Sequence, residues 1–273
     1  YSFPTDLLLD TEPLPSSSSS PSLSSSNTYG DTTDETSSSC YLKKKHVILV
    51  ACGSFNPITN LHLRMFENSK DYLERELGYR VVGGFLSPVH DKYGKGSLRV
   101  NGHHRYVMCK LATRSSHWIN TDAWEILQPE YSRTRIVLTH FKQEIDHYYH
   151  HVKRQVSPRI LLLCGADLLE SFVKEGVWRQ EDVDYILENF GTACVERDVG
   201  ASVPNLIFDH DVLYKNRSNI HSVPAYVTNN VSSTRIRTLM ERDYSVKYYL
   251  DDLVIDYIAQ SGVFDYLKTK GRR

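Results

Sequence analysis

Short apolar runs alternate with longer amphipathic segments along most of the chain after residue 45. The predicted strands are Val47–Ala51, Arg80–Leu86, Arg159–Cys164, Thr192–Glu196 and Asn219–Val223. The predicted helices are Leu61–Leu77, His104–Arg114, Ser132–Val152, Asp167–Val173, Glu181–Asn189 and Thr234–Arg242. This alternation is typical of βαβ units, in which helices cover both faces of a parallel sheet. The sequence therefore predicts an α/β fold of three layers around a doubly wound, mostly parallel sheet.

The predicted sheet also indicates where a ligand would bind. In a Rossmann-like sheet of this kind, ligands lie at the carboxyl ends of the strands, where the strand order reverses. Motifs that directly follow a predicted strand are therefore the first candidates for a functional site.

The first forty residues differ in composition from the rest of the chain. They include the run SSSSSPSLSSS at Ser16–Ser26 and carry six acidic residues without a Lys or Arg. Since the whole chain has a formal net charge of −1, residues 41–273 carry +5. We predict a disordered, Ser-rich acidic tail over residues 1–40, dispensable for catalysis, and a single α/β domain over residues 41–273. A mildly basic domain suits small anionic ligands and indicates neither nucleic acid nor membrane as a partner.

Cysteine usage and hydropathy indicate an intracellular protein. The five cysteines, Cys40, Cys52, Cys109, Cys164 and Cys194, are widely spaced and form no CxxC pair, which predicts free thiols in a reducing compartment. No apolar run approaches the roughly 18–20 residues of a membrane span, and the N-terminal residues do not form a secretory signal. The nucleus and the cytoplasm are not distinguished.

A motif that can bind an anion follows the first predicted strand, at GSFNPITNLH, residues Gly53–His62. Backbone N–H groups and the helix dipole favour phosphate where a strand passes into a helix. Gly53 permits close backbone approach, Ser54 offers a hydroxyl, and Thr59 and His62 share a helical face. The alternative is a tight turn with Thr59 as N-cap and His62 as a structural residue.

A second motif of this kind precedes the last predicted helix, at NNVSSTRIR, residues Asn229–Arg237. Three hydroxyl residues stand before the helix, and Arg237 lies one turn into it. Hydroxyls, N-terminal amides and a guanidinium together suit a polyphosphate. The alternative is an N-cap followed by a solvated arginine.

The two motifs, GxFxPxTxxH and SSTxxR, together resemble the nucleotidyltransferase superfamily with its [TH]xxH signature. Within it, the chain is similar to eukaryotic nicotinamide/nicotinate mononucleotide adenylyltransferases from His46 to Phe264. The further matching stretches are SPVHDKYGKG (Ser87–Gly96), DAWEILQ (Asp122–Gln128), LLLCGADLLESF (Leu161–Phe172), Val177-Trp178 and DVLYKNRSNIH (Asp211–His221). The resemblance implies transfer of the AMP moiety of ATP to nicotinamide or nicotinic acid mononucleotide. The products would be NAD or deamido-NAD and pyrophosphate, in the final step of NAD biosynthesis.

The resemblance also implies the site residues. Those that bind ATP are Gly53, Ser54, Phe55, His62, Asn229, Ser233, Thr234, Arg235, Ile236 and Arg237. Those that bind the mononucleotide are Ser54, Tyr93, Lys95, Trp124, Leu127, Gly165, Asp167, Val177 and Trp178, with the two Trp rings flanking the nicotinamide. His62, Arg237 and Lys95 are the catalytic set. No residue is assigned as a metal ligand, and Mg²⁺ or another divalent cation is expected to bind with ATP.

The chemistry agrees with these residue types. The mononucleotide phosphate is already an anion at neutral pH, so its attack on the α-phosphorus of ATP needs no protein nucleophile. What remains is to bring two anions together and to stabilise departing pyrophosphate, which positioning and positive charge can do.

Other interpretations stay open. A sister transferase could use another phosphate ester, or CTP in place of ATP, and a non-enzymatic binding or chaperone-like module could share the fold. His147 and His151 have a zinc-compatible spacing, but no carboxylate or Cys ligand set accompanies them, which favours a solvated helix end. Lys43–Lys45 is either a localisation patch or solvated charge. The preference between the two mononucleotides, assembly into a homo-oligomer and the role of the tail are not determined.

Overall fold

Six parallel strands form one sheet at the centre of the protein. The computed structural model describes residues 1–8, 45–96, 98–152, 157–196, 202–227 and 230–268. The strands are β1 His46–Gly53, β2 Arg80–Pro88, β3 Ile119–Thr121, β4 Arg159–Gly165, β5 Thr192–Val195 and β6 Ile220–Val223. They lie in the order β3-β2-β1-β4-β5-β6, and every pair is parallel. The predicted doubly wound parallel sheet is confirmed, with its reversal of strand order between β1 and β4.

The five predicted strands are all present, and β3 is an addition. It comprises Ile119–Thr121 and pairs with β2, where Gly84 lies opposite Ile119. A strand of three residues that includes Asn120 is too short to give an alternating pattern. Its position at the edge of the sheet depends on its pairing with β2.

The helices lie between the strands and after the last of them. They are α1 Asn60–Arg75, α2 Gly102–Ala112, α3 Thr134–His151, α4 Ala166–Ser171, α5 Gln180–Tyr185, α6 Val203–Asp209, α7 Asp211–Lys215, α8 Ser233–Glu241, α9 Asp252–Ser261 and α10 Asp265–Lys268. A π-helical turn, Ile186–Phe190, continues α5. Our predictions omitted α6, α7, α9 and α10. For α9 a signal existed, because Asp251 caps its first turn and Gly262 ends it in a left-handed conformation.

Helices cover both faces of the sheet, which confirms the three layers. Successive residues of β1 point to opposite faces, so that Leu49 belongs to one hydrophobic core and Val50 to the other. The first core includes side chains of α1, α2, α8 and α9, and the second includes side chains of α3, α5 and α6. The carboxyl ends of the strands remain as the place where loops can form a site.

Residues 1–8, called the N-terminal segment below, do not follow the prediction of disorder. Leu8 is buried in the second core. The ring of Phe3 lies 5.1 Å from that of Phe85 and 5.7 Å from that of Phe141. Averaging composition over forty residues concealed these apolar side chains. The prediction is wrong for this segment, and residues 9–40 lie outside the described residues.

Several smaller predictions concern thiols, membranes and metals. Cys52, Cys109, Cys164 and Cys194 are free thiols, and Cys40 lies outside the described residues. No helix in the described part of the chain is long and apolar enough to cross a membrane. The exposed His147 and His151 rings lie 4.1 Å apart at the end of α3. The described residues include no group of three or more His, Cys, Asp or Glu that could hold a metal ion. Lys43 and Lys44 are not described.

Candidate active site

The loop after β1 folds back under the end of its own strand. Phe55 is buried and has a φ of 43°, a left-handed conformation that bulky residues seldom adopt. A Cβ atom at Gly53 would lie 3.2 Å from the Phe55 ring. Glycine at position 53 therefore leaves room for the ring. The turn can then be tight, and the backbone of Ser54 lies at the carboxyl end of β1.

His62 completes the first turn of α1 as part of a capping box. The backbone N–H of Thr59 donates to Nδ1 of His62 at 3.1 Å, and Oγ1 of Thr59 lies 2.8 Å from the same nitrogen. Because Nδ1 accepts the N–H, the neutral imidazole has its proton on Nε2. His62 thus has a capping role at Nδ1, and its ring can donate a hydrogen bond through Nε2.

Arg105 of α2 joins the loops that follow β1 and β2, and no sequence pattern indicated it. Its side chain is fully buried. The guanidinium donates to the carbonyls of Ser54 at 3.0 Å and Val100 at 3.1 Å, and to that of Val89 at 2.6 Å. It also pairs with Asp91 at 2.8 Å. A surface arginine on α2 would look the same in the sequence.

The two predicted anion-binding motifs meet at the N-terminus of α8. Nη1 of Arg237 donates to the carbonyl of Asn56 at 2.6 Å, and its Nη2 donates to Oγ1 of Thr234 at 3.2 Å. Oγ of Ser233 donates to the carbonyl of Pro57 at 2.7 Å. These bonds attach α8 to the loop after β1. The alternative of a merely solvated Arg237 is therefore wrong.

A cavity of about 490 Å³ opens between this loop and α8. It is lined by Ser54, Asn56, Tyr93, Leu98, Arg99, Thr234, Arg237, Thr238, Glu241 and Leu267. Four of these residues were predicted, namely Ser54, Tyr93, Thr234 and Arg237. Arg99 adds a second cation that the motifs did not indicate. The cavity has the hydroxyls and positive charge that a polyphosphate requires.

The remaining predicted residues are Arg235, Ile236 and Asn229 of the ATP set and Lys95 of the mononucleotide set. Arg235 and Ile236 line a neighbouring cavity of about 520 Å³. Ile236 is nevertheless buried, with 1% of its surface exposed to solvent. Asn229 and the side chain of Lys95 lie outside the described residues. The backbone of Lys95 belongs to a 3₁₀ turn, Tyr93–Gly96, that follows β2.

Trp124 and Trp178 both pack partly against the second core, and each indole also contacts a neighbouring polar side chain. The indole of Trp124 stacks on the His140 ring at 4.2 Å and an interplanar angle of 11°. Nε1 of Trp178 donates to Oγ of Ser171 at 2.9 Å, and its ring meets the Phe172 ring edge-on. Both indoles are therefore held in defined orientations.

The other predicted mononucleotide residues also follow strand ends. Gly165 ends β4 and is the N-cap residue of α4, and Asp167 lies in the first turn of that helix. Val177 is 58% exposed and Leu127 is 61% exposed, which is unusual for apolar side chains of this size. Exposed apolar residues beside two half-buried indoles are typical of a binding surface for a planar ligand.

Two buried carboxyl groups lie beside Trp124 and were not predicted. Burial raises the pKa of Glu125 to about 8, although Oγ of Ser87 donates to its carboxyl at 2.8 Å. Burial also raises the pKa of Asp122 to about 6, opposed by hydrogen bonds from Tyr1 and from the backbone of Trp124. Acidic residues in a loop are usually exposed, so the sequence offered no sign of their burial.

Glu125 makes stability depend on pH. The folded protein keeps its proton up to about pH 8, whereas an ordinary glutamate loses it near pH 4.5. Between these values the folded state binds one proton more, so stability present below pH 4.5 is lost as the pH rises towards 8.

From pH 5 to pH 8 we expect the unfolding free energy of the parent to fall by about 1 kcal/mol or more relative to Glu125→Gln. Urea unfolding at several pH values measures this, with exposed Glu175→Gln as control. Parallel curves for parent and Glu125→Gln would contradict it.

Comparisons with known proteins can be set beside this geometry. The chain matches the cytidylyltransferase-like family over residues 50–239. It is 37% identical over 254 residues to nicotinamide/nicotinic acid mononucleotide adenylyltransferase 1 of Bos taurus, covering 81% of this chain and 90% of the bovine protein. With the Arabidopsis thaliana nicotinamide/nicotinic acid mononucleotide adenylyltransferase it shares 41% identity over 239 residues, covering 88% of this chain and 95% of the plant protein. For adenylyltransferase 1 of Saccharomyces cerevisiae the identity is 41%, and the chain spans 56% of that longer protein.

A solved structure agrees on the fold. Plasmodium falciparum nicotinic acid mononucleotide adenylyltransferase, complexed with NaAD, superposes with a TM-score of 0.57 at 17% identity, covering 81% of this chain and 98% of that one. The strand order, the match to the cytidylyltransferase-like family and the identities to the bovine and plant proteins agree. The chain therefore belongs to the nicotinamide/nicotinic acid mononucleotide adenylyltransferase family.

Proposed function

We propose that this protein transfers the AMP moiety of ATP to nicotinamide or nicotinic acid mononucleotide, forming NAD or deamido-NAD and pyrophosphate. One observation carries most weight within this family. The loop after β1 and the N-terminus of α8 enclose a single cavity whose lining includes Arg237 and several hydroxyl groups. A triphosphate is the ligand that such a lining suits best.

The ATP side consists of the loop after β1 and the start of α8. We assign the ATP phosphates to Ser54, His62, Thr234 and Arg237, with Asn229 completing the site. Lys95 is assigned to the phosphate of the mononucleotide. His62 donates through Nε2, because Nδ1 is engaged by the Thr59 N–H. Arg237 is anchored through Nη1 to the Asn56 carbonyl, so its guanidinium is already oriented before ATP binds.

The mononucleotide side consists of the residues that follow β2, β3 and β4. The face of Trp124 that stacks on His140 is covered, so a pyridine ring would bind on its opposite face. Trp178 would close the other side of the nicotinamide, with Val177 and Leu127 at the margin. The charged pyridinium of the substrate gains cation–π attraction as well as stacking from such a pair.

The residues act by placement and charge. A phosphate oxygen of the mononucleotide attacks the α-phosphorus of ATP, the bond to the bridging oxygen breaks, and pyrophosphate leaves with that electron pair. No proton is removed from the attacking phosphate at neutral pH. His62, Arg237 and Lys95 stabilise the negative charge that moves towards pyrophosphate.

Mg²⁺, or another divalent cation, fits this site as an ion that binds with the substrate. Proteins commonly hold Mg²⁺ by one or two oxygen atoms together with substrate phosphates. Asn56 and Glu241 both line the cavity, and Oδ1 of Asn56 is buried without a hydrogen-bond partner. These two groups would hold the ion, which supplies further neutralisation of the phosphate charge.

A coupled assay tests the proposal. Purified protein with ATP, Mg²⁺ and nicotinamide mononucleotide should produce NAD and pyrophosphate in equal amounts, and CTP should replace ATP poorly. Product with another phosphate ester but none with either mononucleotide would favour a sister transferase. Binding of ATP without any turnover would favour a non-enzymatic module.

Trp178 provides a test of the mononucleotide side. Trp178→Ala should raise the KM for the mononucleotide by about tenfold or more, because stacking on a base contributes about 1–3 kcal/mol. The KM for ATP should change less than twofold. Trp178→Phe, which keeps an aromatic face, serves as the matched control and should lose less. Equal changes in both KM values would show that Trp178 lies outside the nicotinamide pocket.

A further inference from the structure

The first residues of the N-terminal segment pack against the side chains that surround Trp124. The hydroxyl of Tyr1 donates to Oδ1 of Asp122 and lies 3.3 Å from Nε2 of His140. The Phe3 ring packs edge-on against His140 at 6.2 Å. Further along, Oδ1 of Asp6 accepts from Nδ2 of Asn120 in β3 at 2.8 Å.

Both residues that Tyr1 contacts act directly on Trp124. Oδ2 of Asp122 accepts the backbone N–H of Trp124 at 3.0 Å, which fixes the start of the turn that bears the indole. His140 stacks on the face of that indole. The segment therefore contacts Trp124 through two intermediaries, one on its backbone and one on its ring.

The protonation states agree with these contacts. Burial and the neighbouring Asp122 raise the pKa of Tyr1, so its hydroxyl remains a donor at neutral pH. Burial lowers the pKa of His140 to about 4, so the ring that stacks on Trp124 is neutral. Glu144 and Tyr106 are the other titratable groups that act on this cluster.

The N-terminal segment is also attached independently of Tyr1. Leu8 is 7% exposed, and a Cβ atom at Gly83 of β2 would lie 2.8 Å from Leu8 Cδ2. Glycine at position 83 thus makes room for the leucine. Phe3 packs between rings of β2 and α3. These contacts hold the segment against β2 and α3, and Tyr1 then lies within hydrogen-bond distance of Asp122.

We propose that residues 1–8 position Trp124 for binding of the mononucleotide, with Tyr1 and Phe3 as positioning residues. The inference rests on the proposed function in taking Trp124 as one wall of the nicotinamide pocket. It also replaces our prediction that residues 1–40 are dispensable for catalysis, as far as the first eight are concerned.

Steady-state kinetics of Tyr1→Phe and Phe3→Ala, each in the 273-residue chain, test the inference. Tyr1→Phe removes one oxygen atom and should raise the KM for nicotinamide mononucleotide about three- to tenfold, with the KM for ATP within twofold. Phe3→Ala should have a larger effect of the same kind. The matched control is Tyr244→Phe, since Tyr244 is 65% exposed and its side chain lies outside the proposed site. Unchanged mononucleotide KM in both variants, or equal changes for both substrates, would overturn the inference.

Fluorescence separates this inference from the proposed function. With Trp118 and Trp178 replaced by Phe, emission reports on Trp124 alone, and circular dichroism checks that the variant is folded. Adding Tyr1→Phe should then increase acrylamide quenching by about 1.5-fold or more without any substrate. If the parent makes no NAD, the proposed function fails, and quenching still tests the contact. If the parent is active and quenching does not change, the positioning role fails alone.

Discussion

Replacing His62 by alanine is expected to lower kcat by about 10²–10³-fold while the KM for the mononucleotide stays nearly unchanged. The imidazole donates through Nε2 to a phosphate, and this bond strengthens mainly as charge moves towards pyrophosphate. Interactions that form in the transition state appear in kcat more than in KM. Initial rates at saturating ATP over a range of mononucleotide concentrations measure both constants.

The capping box supplies a sharp control for this prediction. Gln is a usual residue at the third helical position of a capping box, so His62→Gln can retain the bond with the Thr59 backbone while it lacks the imidazole. We expect His62→Gln to be as stable as the parent and as slow as His62→Ala. A fast and stable His62→Gln would show that His62 serves only to cap α1. A parent rate that rises with pH around 6.5, absent in both variants, would indicate that His62 takes up a proton or must be neutral.

Replacing Arg105 by methionine is expected to lower the free energy of unfolding by about 3–5 kcal/mol. The change leaves the carbonyls of Ser54, Val89 and Val100 without their donor. Each buried polar group left unpaired costs about 1–3 kcal/mol. Asp91 adds less, because its side chain is 49% exposed and can be solvated.

Denaturant unfolding measures this effect, with exposed Arg114→Met beyond the end of α2 as the matched control. The control should change stability by less than about 0.5 kcal/mol. Because Arg105 contacts the carbonyl of Ser54, the variant should also bind ATP more weakly. A loss of less than about 1 kcal/mol would mean that Arg105 contributes little to joining the two loops.

Much of the fold was predictable because its longer elements have periodic sequences. β1, β2 and β4 are apolar runs bounded by turns, and α1 and α3 show the spacing of an amphipathic helix. Parallel strands with helical connections permit few arrangements, so the doubly wound sheet followed from their order. The short helices α6, α7 and α10 and the edge strand β3 are too brief to give such a pattern.

The two anion-binding motifs were likewise visible in the chain, since each combines a strand or loop with a helix start within about ten residues. The two motifs placed Ser54, Thr234 and Arg237 as candidates for binding anions, and the resemblance implied that all three belong to one ATP site. It could not indicate that the carbonyl of Asn56 would accept from Arg237 across 181 positions of the chain. That contact exists because α8 packs on the same face of the sheet as α1.

What only the tertiary structure decided is which polar and terminal residues are buried. Charged residues usually lie on the surface, but three of them, Arg105, Asp122 and Glu125, are buried here. Their burial depends on elements from distant parts of the chain. The position of the N-terminal segment also depends on tertiary contacts, because Phe3 and Leu8 pack against the apolar surface that β2 and α3 provide. Periodicity determines local structure through contacts between near neighbours. Burial of a charge is decided by the partners that surround it, and these partners become neighbours only when the sheet has formed.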